Sequence, residues 1–187
     1  TYNLNGNTKP ENYDIELVYG KLEVTPVTEK ITVTIKGHSD TKKYDGDEHS
    51  VTGYDVTIPA DSLYTEKDIT FSGNAEAKGT DAGTYNMGLK AENFANSNGN
   101  FANVEFVVEE DGKLTITKRD VTLTSADAEK VYYGTALAND TVTVSGDGFV
   151  KNDGATYDVT GTITNVGTKQ NTFTYTLNEG TKADNYN

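Results

Sequence analysis

Along much of the chain apolar and polar residues alternate one for one, the repeat of a strand that buries one face and wets the other. Ile31, Val33 and Ile35 are separated by threonines, as are Leu114 and Ile116, and Val121 and Leu123. The same alternation, more loosely kept, predicts further strands over 54–58, 68–72, 83–90, 103–108, 141–145, 156–164 and 171–177. Between them Ser72-Gly73-Asn74, Asp111-Gly112 and Ser145-Gly146-Asp147-Gly148 supply the small residues that let a chain turn. No stretch keeps the period of an amphipathic helix, and only residues 60–64, after Pro59, suit a single helical turn. The pattern is that of an all-β protein.

The strands recur in a fixed order. Residues 1–14, TYNLNGNTKPENYD, and 174–187, TYTLNEGTKADNYN, agree at eight positions without a gap, and TYNMGLKAENF at 84–94 opens the same way. VYGKLEVTP at 18–26 matches EDGKLTITK at 110–118, and residues 31–54 parallel residues 121–146, each with an alternating strand followed by a lysine, a tyrosine and a glycine. Self-similarity at one period marks repeated structural units. It divides the chain into 1–28, the last strands of a preceding unit; 29–118, a complete unit; and 119–187, a following unit without its Gly-Lys-Leu strand. Six to seven short strands in about 90 residues favour a sandwich of two sheets over a barrel.

The set KKYDG at 42–46, AGTY at 82–85, GKLTITK at 112–118 and the immediate restart RDVTLT at 119–124 resembles the MBG or YDG family of bacterial immunoglobulin-like repeats. The resemblance spans the whole chain. It implies tandem immunoglobulin-like β-sandwich modules in an elongated array, within large proteins that are extracellular and attached at the bacterial cell surface, of the adhesin-like stalk kind. It offers no catalytic residue to carry over. The second copy reads Tyr132-Tyr133-Gly134 where the first reads Tyr44-Asp45-Gly46, so the aspartate is not a fixed part of that turn.

Composition narrows the chemistry. A formal charge of −13, from 29 acidic and 16 basic residues, opposes nucleic acid and anionic membrane surfaces as partners. There is no cysteine, hence no disulfide and no thiolate chemistry, and no apolar run approaches the length of a membrane span. Any export signal or anchor belongs to sequence outside these 187 residues. With 34% of residues apolar the core is thin, and the 12 tyrosines are expected to help fill it. Tyr2, Tyr44, Tyr85, Tyr132 and Tyr175 recur at matching places, which favours packing over a sugar-stacking platform.

Nothing points to an enzyme. His38 and His49 lie in a turn-rich stretch without a nucleophile in a recognisable setting, and the carboxylates are scattered. No cofactor is expected. Calcium is the one metal to weigh, because Asp45, Asp47, Asp147 and Asp153 put hard oxygens on tight turns, although the spacing is not that of a helix-loop-helix calcium site. An internal lysine-to-asparagine or lysine-to-aspartate crosslink needs a buried lysine; Lys36 faces outward with the threonines and Lys118 ends a strand. The expected partners are neighbouring repeats of the same or another chain. The leading expectation is a non-enzymatic stalk. A host glycan- or protein-binding module, and a filament closed head to tail by strand donation from residues 15–25, are the alternatives.

Overall fold

The computed structural model describes residues 2–187; Thr1, which opens the first copy of the repeated ends, lies outside them. Its regular structure is all β-strand apart from four one-turn 3-10 helices. The strands are β1 (Ile31–Gly37), β2 (Asp40–Lys43), β3 (His49–Thr52), β4 (Tyr54–Thr57), β5 (Ile69–Phe71), β6 (Glu76–Gly79), β7 (Gly83–Asn86), β8 (Phe94–Asn96), β9 (Val104–Glu110), β10 (Lys113–Thr117), β11 (Val121–Ser125), β12 (Val142–Gly146), β13 (Ala155–Val159) and β14 (Phe173–Leu177). Ladder pairing stays within β1–β10 or within β11–β14, which defines a first and a second unit.

In the first unit two three-stranded sheets, β4-β1-β9 and β2-β10-β7, share one core, with the pairs β3-β6 and β5-β8 beside them. β1 buries Ile31, Val33 and Ile35 and leaves Lys36 exposed, as its alternation requires. From the other sheet β10 contributes Leu114 and Ile116. Tyr54, Phe71, Phe94 and Phe106 close the core with ring centroids 5.0 to 6.0 Å apart, spacings at which aromatic edges and faces attract.

Two chain segments change sheet at the same point. β1 runs into β2 and β9 into β10, and both pairings between these segments are parallel: Ile31 opposite Val104, and Asp40 opposite Leu114. At the switch Gly37 and Gly112 touch. A Cβ on Gly37 would stand 2.2 Å from the Gly112 nitrogen, and one on Gly112 would stand 2.5 Å from the His38 carbonyl oxygen. The glycine of the Gly-Lys-Leu motif is therefore a crossing point where only hydrogen fits.

Ten strands rather than six or seven form in the first unit among the described residues. The unpredicted ones, β2, β3, β6 and β8, are three or four residues long and carry sequences such as DTKK and EAKG, which hold no alternation. β2 forms on the edge of β10 and β8 on that of β5, while β3 and β6 pair with each other. The predicted strand at 83–90 stops at Asn86 because Gly88 turns the chain with φ of 76°, and that at 156–164 ends at Val159, short of Gly161. Residues 60–64 make a turn, closed by Ser62 N–H donating to the Pro59 carbonyl.

The flanks differ from the complete unit. Residues 2–28, expected to be strands, hold no ladder among the described residues; they contain one 3-10 turn and join the first unit through the Val27–Phe101 bridge. A strand without a partner has no acceptor for its backbone groups. In the second unit β11 pairs with β12 and β13 with β14, but no apolar side chain from 119 to 187 is buried among the described residues.

Candidate interaction site at the junction of the two units

Lys118 runs into Arg119 without a linker, and the two units are held by side chains from both, several of them at motif positions: Lys43 and Tyr44, Arg119, and Asn185 with Tyr186. β2 and β10 end side by side, with Tyr44 N–H bonded to the Thr117 carbonyl. This places the Tyr44-Asp45-Gly46 turn and the Asp81-Ala82-Gly83 turn at the end of the first unit. Against them lie the 147–153 loop and the final turn of the second unit, the 3-10 helix Ala183–Asn185 with Tyr186.

Asn185 is the one fully buried polar residue in the described chain. Its side-chain oxygen accepts from the Ala82 backbone N–H at 2.7 Å and its amide donates to Asp81 Oδ1 at 3.0 Å, so the side chain binds the turn through both its functional atoms. The other Asp81 oxygen receives Lys182 Nζ. The Asp81 carboxyl is held below the usual carboxylate range, first by the Lys182 ammonium and then by the Asn185 amide.

Tyr186 packs its ring edge-on against Tyr44, 5.6 Å between centroids, and against Phe149 at 5.0 Å. Both tyrosine hydroxyls donate to the same oxygen, Asp153 Oδ2, and Tyr186 also accepts from Val150 N–H. Burial, and then the bond to Asp153, push the Tyr186 phenol well above its usual range; burial also raises Tyr44. Both stay neutral donors at any physiological pH.

The third contact is ionic. Lys43 Nζ meets Asp147 Oδ2 at 2.7 Å, and the same oxygen accepts Asp120 N–H. Arg119 reaches back with its guanidinium to the carbonyls of Gly148 and Asp147, both at 2.8 Å, and to that of Tyr44 at 3.4 Å. Lys43 first, then the Asp120 amide, holds the Asp147 carboxyl below its ordinary value. A planar five-donor group suits this place, because it ties three carbonyls from two units with one side chain.

The four aspartates weighed as calcium ligands fall in two places. Asp147 and Asp153 lie at the junction and accept from lysine, backbone and tyrosine donors as described. Asp45 accepts from Asp47 N–H at 3.0 Å and pairs with His49 Nε2 at 2.9 Å. No group of three or more metal-ligating side chains gathers among the described residues. His38 bonds the Thr52 carbonyl and Asp55, and Lys36 pairs at the surface with Glu110 at 3.0 Å.

Of the five recurring tyrosines, Tyr44 is buried at the junction and Tyr85 is half-buried, its hydroxyl on the Asp81 carbonyl. Tyr2, Tyr132 and Tyr175 are exposed, a correction to the shared packing role expected of them. Tyr132 is the counterpart of Tyr44 and has no third unit to pack on among the described residues. Reading the sequence missed Asn185, Arg119 and Asp81. The signals were the repeated Asn-Tyr at 12–13 and 185–186 for Asn185, the RDVTLT restart for Arg119 and the AGTY motif that follows Asp81.

Residues 30–118 match the MBG domain family. No curated protein and no solved structure matches the chain.

Proposed function

We propose that this chain, whose residues 30–118 belong to the MBG domain family, is a non-enzymatic stalk segment of a bacterial cell-surface adhesin-like protein. On this reading the modules meet at Lys118 and Arg119 and stack in series to hold a distal element away from the cell. The junction is the observation that carries it. Two units joined by a flexible linker would share few contacts, whereas here a fully buried asparagine, a Tyr-Asp-Tyr cluster and an arginine on three carbonyls span the boundary.

Several of those contacts use recurring positions, Tyr44 of the Tyr-Asp-Gly turn on one side and the Asn185-Tyr186 pair on the other, while Asp81, next to the AGTY motif, has Asn171 as its counterpart in the second unit. A repeat whose motifs are its joints makes a quasi-one-dimensional body, each module touching only its neighbours. The acidic surface suits such a rod by keeping neighbouring rods apart.

Residual dipolar couplings measured on the chain test the rigidity: the two units are expected to share one alignment tensor, and two unrelated tensors would refute a stiff joint. Trypsin applied to intact cells that make the full-length protein tests the location. Release of peptides from these modules without lysis is expected; peptides released only after lysis would rule the surface out.

A further inference from the structure

Inside the first unit, β4 is an edge strand whose open side borders a slot. It pairs with β1 alone. His38 N–H donates to the Gly53 carbonyl in the same antiparallel register, and in such a ladder every second residue turns its backbone groups to the partner. Gly53, Asp55 and Thr57 therefore face β1, and Tyr54 and Val56 turn N–H and C=O outward, where they have no backbone partner among the described residues. Across the slot stand the one-turn helix Glu66–Asp68 and Ile69, the first residue of β5. The Ile69 N–H is taken by the Glu66 carbonyl, and the register of β5 with β8 turns the Ile69 carbonyl away from β8. The space between is about 430 Å3, lined by Tyr54, Asp55, Val56, Glu66 and Ile69.

The side chains around this edge are acidic on one face and apolar on the other. Tyr54 and Val56 point inward and are half-buried, while Asp55 and Thr57 point out. The Asp55 carboxylate meets only His38 Nε2, at 3.2 Å, and Glu66 is exposed and takes part in no salt bridge among the described residues. Burial, and then the Glu66 charge, raise the Tyr54 phenol, which stays a neutral donor beside that carboxylate. The Tyr54 ring is already engaged by Phe71 and Phe94, each 5.1 Å away between centroids, which argues against a stacked sugar as the occupant.

We infer that this slot takes an extended peptide of a partner protein, added to β4 as a further strand, with a lysine or arginine beside Asp55 and Glu66 and apolar residues on either side of it. An open edge pairs with another strand through its backbone, and the alternating side chains then select the sequence. The two patterns fit. A residue opposite Asp55 sets its side chain on the outer face, next to the carboxylates, and residues opposite Tyr54 and Val56 set theirs inward, towards Ile69. Tyr54–Thr57 covers about 10 Å of strand, so the footprint is about four or five residues. A formal charge of −13 attracts a basic segment and repels an acidic one. The inference goes beyond the stalk reading and needs none of it, because every residue of the slot belongs to the first unit.

Amide NMR of the full chain titrated with the end-blocked peptide Thr-Val-Arg-Val-Thr tests it. The Tyr54 and Val56 amides are expected to move downfield and, at saturation, to exchange about tenfold more slowly, because each gains a hydrogen bond. Glu66→Lys changes an exposed side chain and is expected to weaken binding about tenfold while the rest of the amide spectrum stays in place. Thr-Val-Glu-Val-Thr is expected not to bind. Thr-Pro-Arg-Pro-Thr keeps the charge but lacks the N–H donors that would face Tyr54 and Val56, and is expected to fail as well. Unmoved Tyr54 and Val56 amides at millimolar Thr-Val-Arg-Val-Thr would overturn the inference. Equal shifts from free arginine or the proline peptide would reduce the slot to a cation trap, equal binding of the glutamate peptide would remove the charge selection, and shifts with lactose alone would make it a sugar site; each of these overturns the inference too.

Discussion

The fully buried Asn185 side-chain amide donates to Asp81 Oδ1 at 3.0 Å across 104 positions of sequence. A buried asparagine must have its donors and acceptor satisfied, and here the partners belong to another unit, so the contact makes folding of the second unit and docking on the first one event. Asn185→Ala is expected to leave the Ala82 N–H and the Asp81 carboxylate short of a partner, at about 1–3 kcal/mol. The readout is a split of one unfolding transition into two. A single transition at the wild-type midpoint would refute the linkage.

Tyr186→Phe keeps the ring contacts with Tyr44 and Phe149 and removes one donor to Asp153. A hydrogen bond to a charged acceptor contributes about 1.5–3 kcal/mol. The loss is expected in docking of the second unit, with amide exchange accelerating at Val150 and Arg119 while β1 and β10 keep their protection. Equal acceleration throughout would show that the bond supports the whole fold rather than the joint.

Acid should loosen the same joint. Asp81 and Asp147 have folded values depressed below the unfolded carboxylate value by Lys182 and Lys43. A depressed group contributes stability that is present above the unfolded value and is lost as pH falls through the folded one. The joint is thus expected to hold at neutral pH and to weaken below about pH 4. A titration following chemical shifts at Ala82 and Asp120 checks this, and Lys43→Met should bring the Asp147 midpoint back up. Unchanged shifts from pH 5 to pH 2 would contradict it.

Gly112→Ala probes the sheet switch. The added methyl meets the His38 carbonyl at 2.5 Å and Met87 Sδ at 2.5 Å, and the backbone atom cannot swing aside. Overpacking of this kind costs about 1–3 kcal/mol or more. Gly99→Ala, with no atom within 4 Å of the new carbon, is the control and should change the denaturation midpoint little. Equal midpoints for the two variants would remove the steric account of the motif.

Leu114→Ala empties the centre of the shared core, where the side chain is fully buried. The expected loss is about 2–5 kcal/mol in denaturant unfolding. Val107→Ala, on the 40%-exposed face of β9, should cost far less.

Strand positions such as β1, β4, β5, β10 and β11 were legible because their side chains alternate, and alternation is a local consequence of which face meets the core. The repeat was legible because the same short motifs recur in the same order along the chain. The parallel pairings of β1 with β9 and of β2 with β10 were not, because register between segments some 70 residues apart depends on the sheet switch at Gly37 and Gly112, which no local pattern encodes. Nor were the polar strands β2 and β6, which exist only as partners.

The sequence alone determined the class of fold, the period of the repeat, the absence of disulfides and the acidic surface, all of them sums or periodicities of single residues. Only the tertiary structure decided what the motifs are for. Tyr44, Asp81, Asn185 and Tyr186 are unremarkable polar-aromatic residues until folding brings two turns of one unit against the end of the next, and burial then converts their hydrogen bonds from exchangeable with water to obligatory.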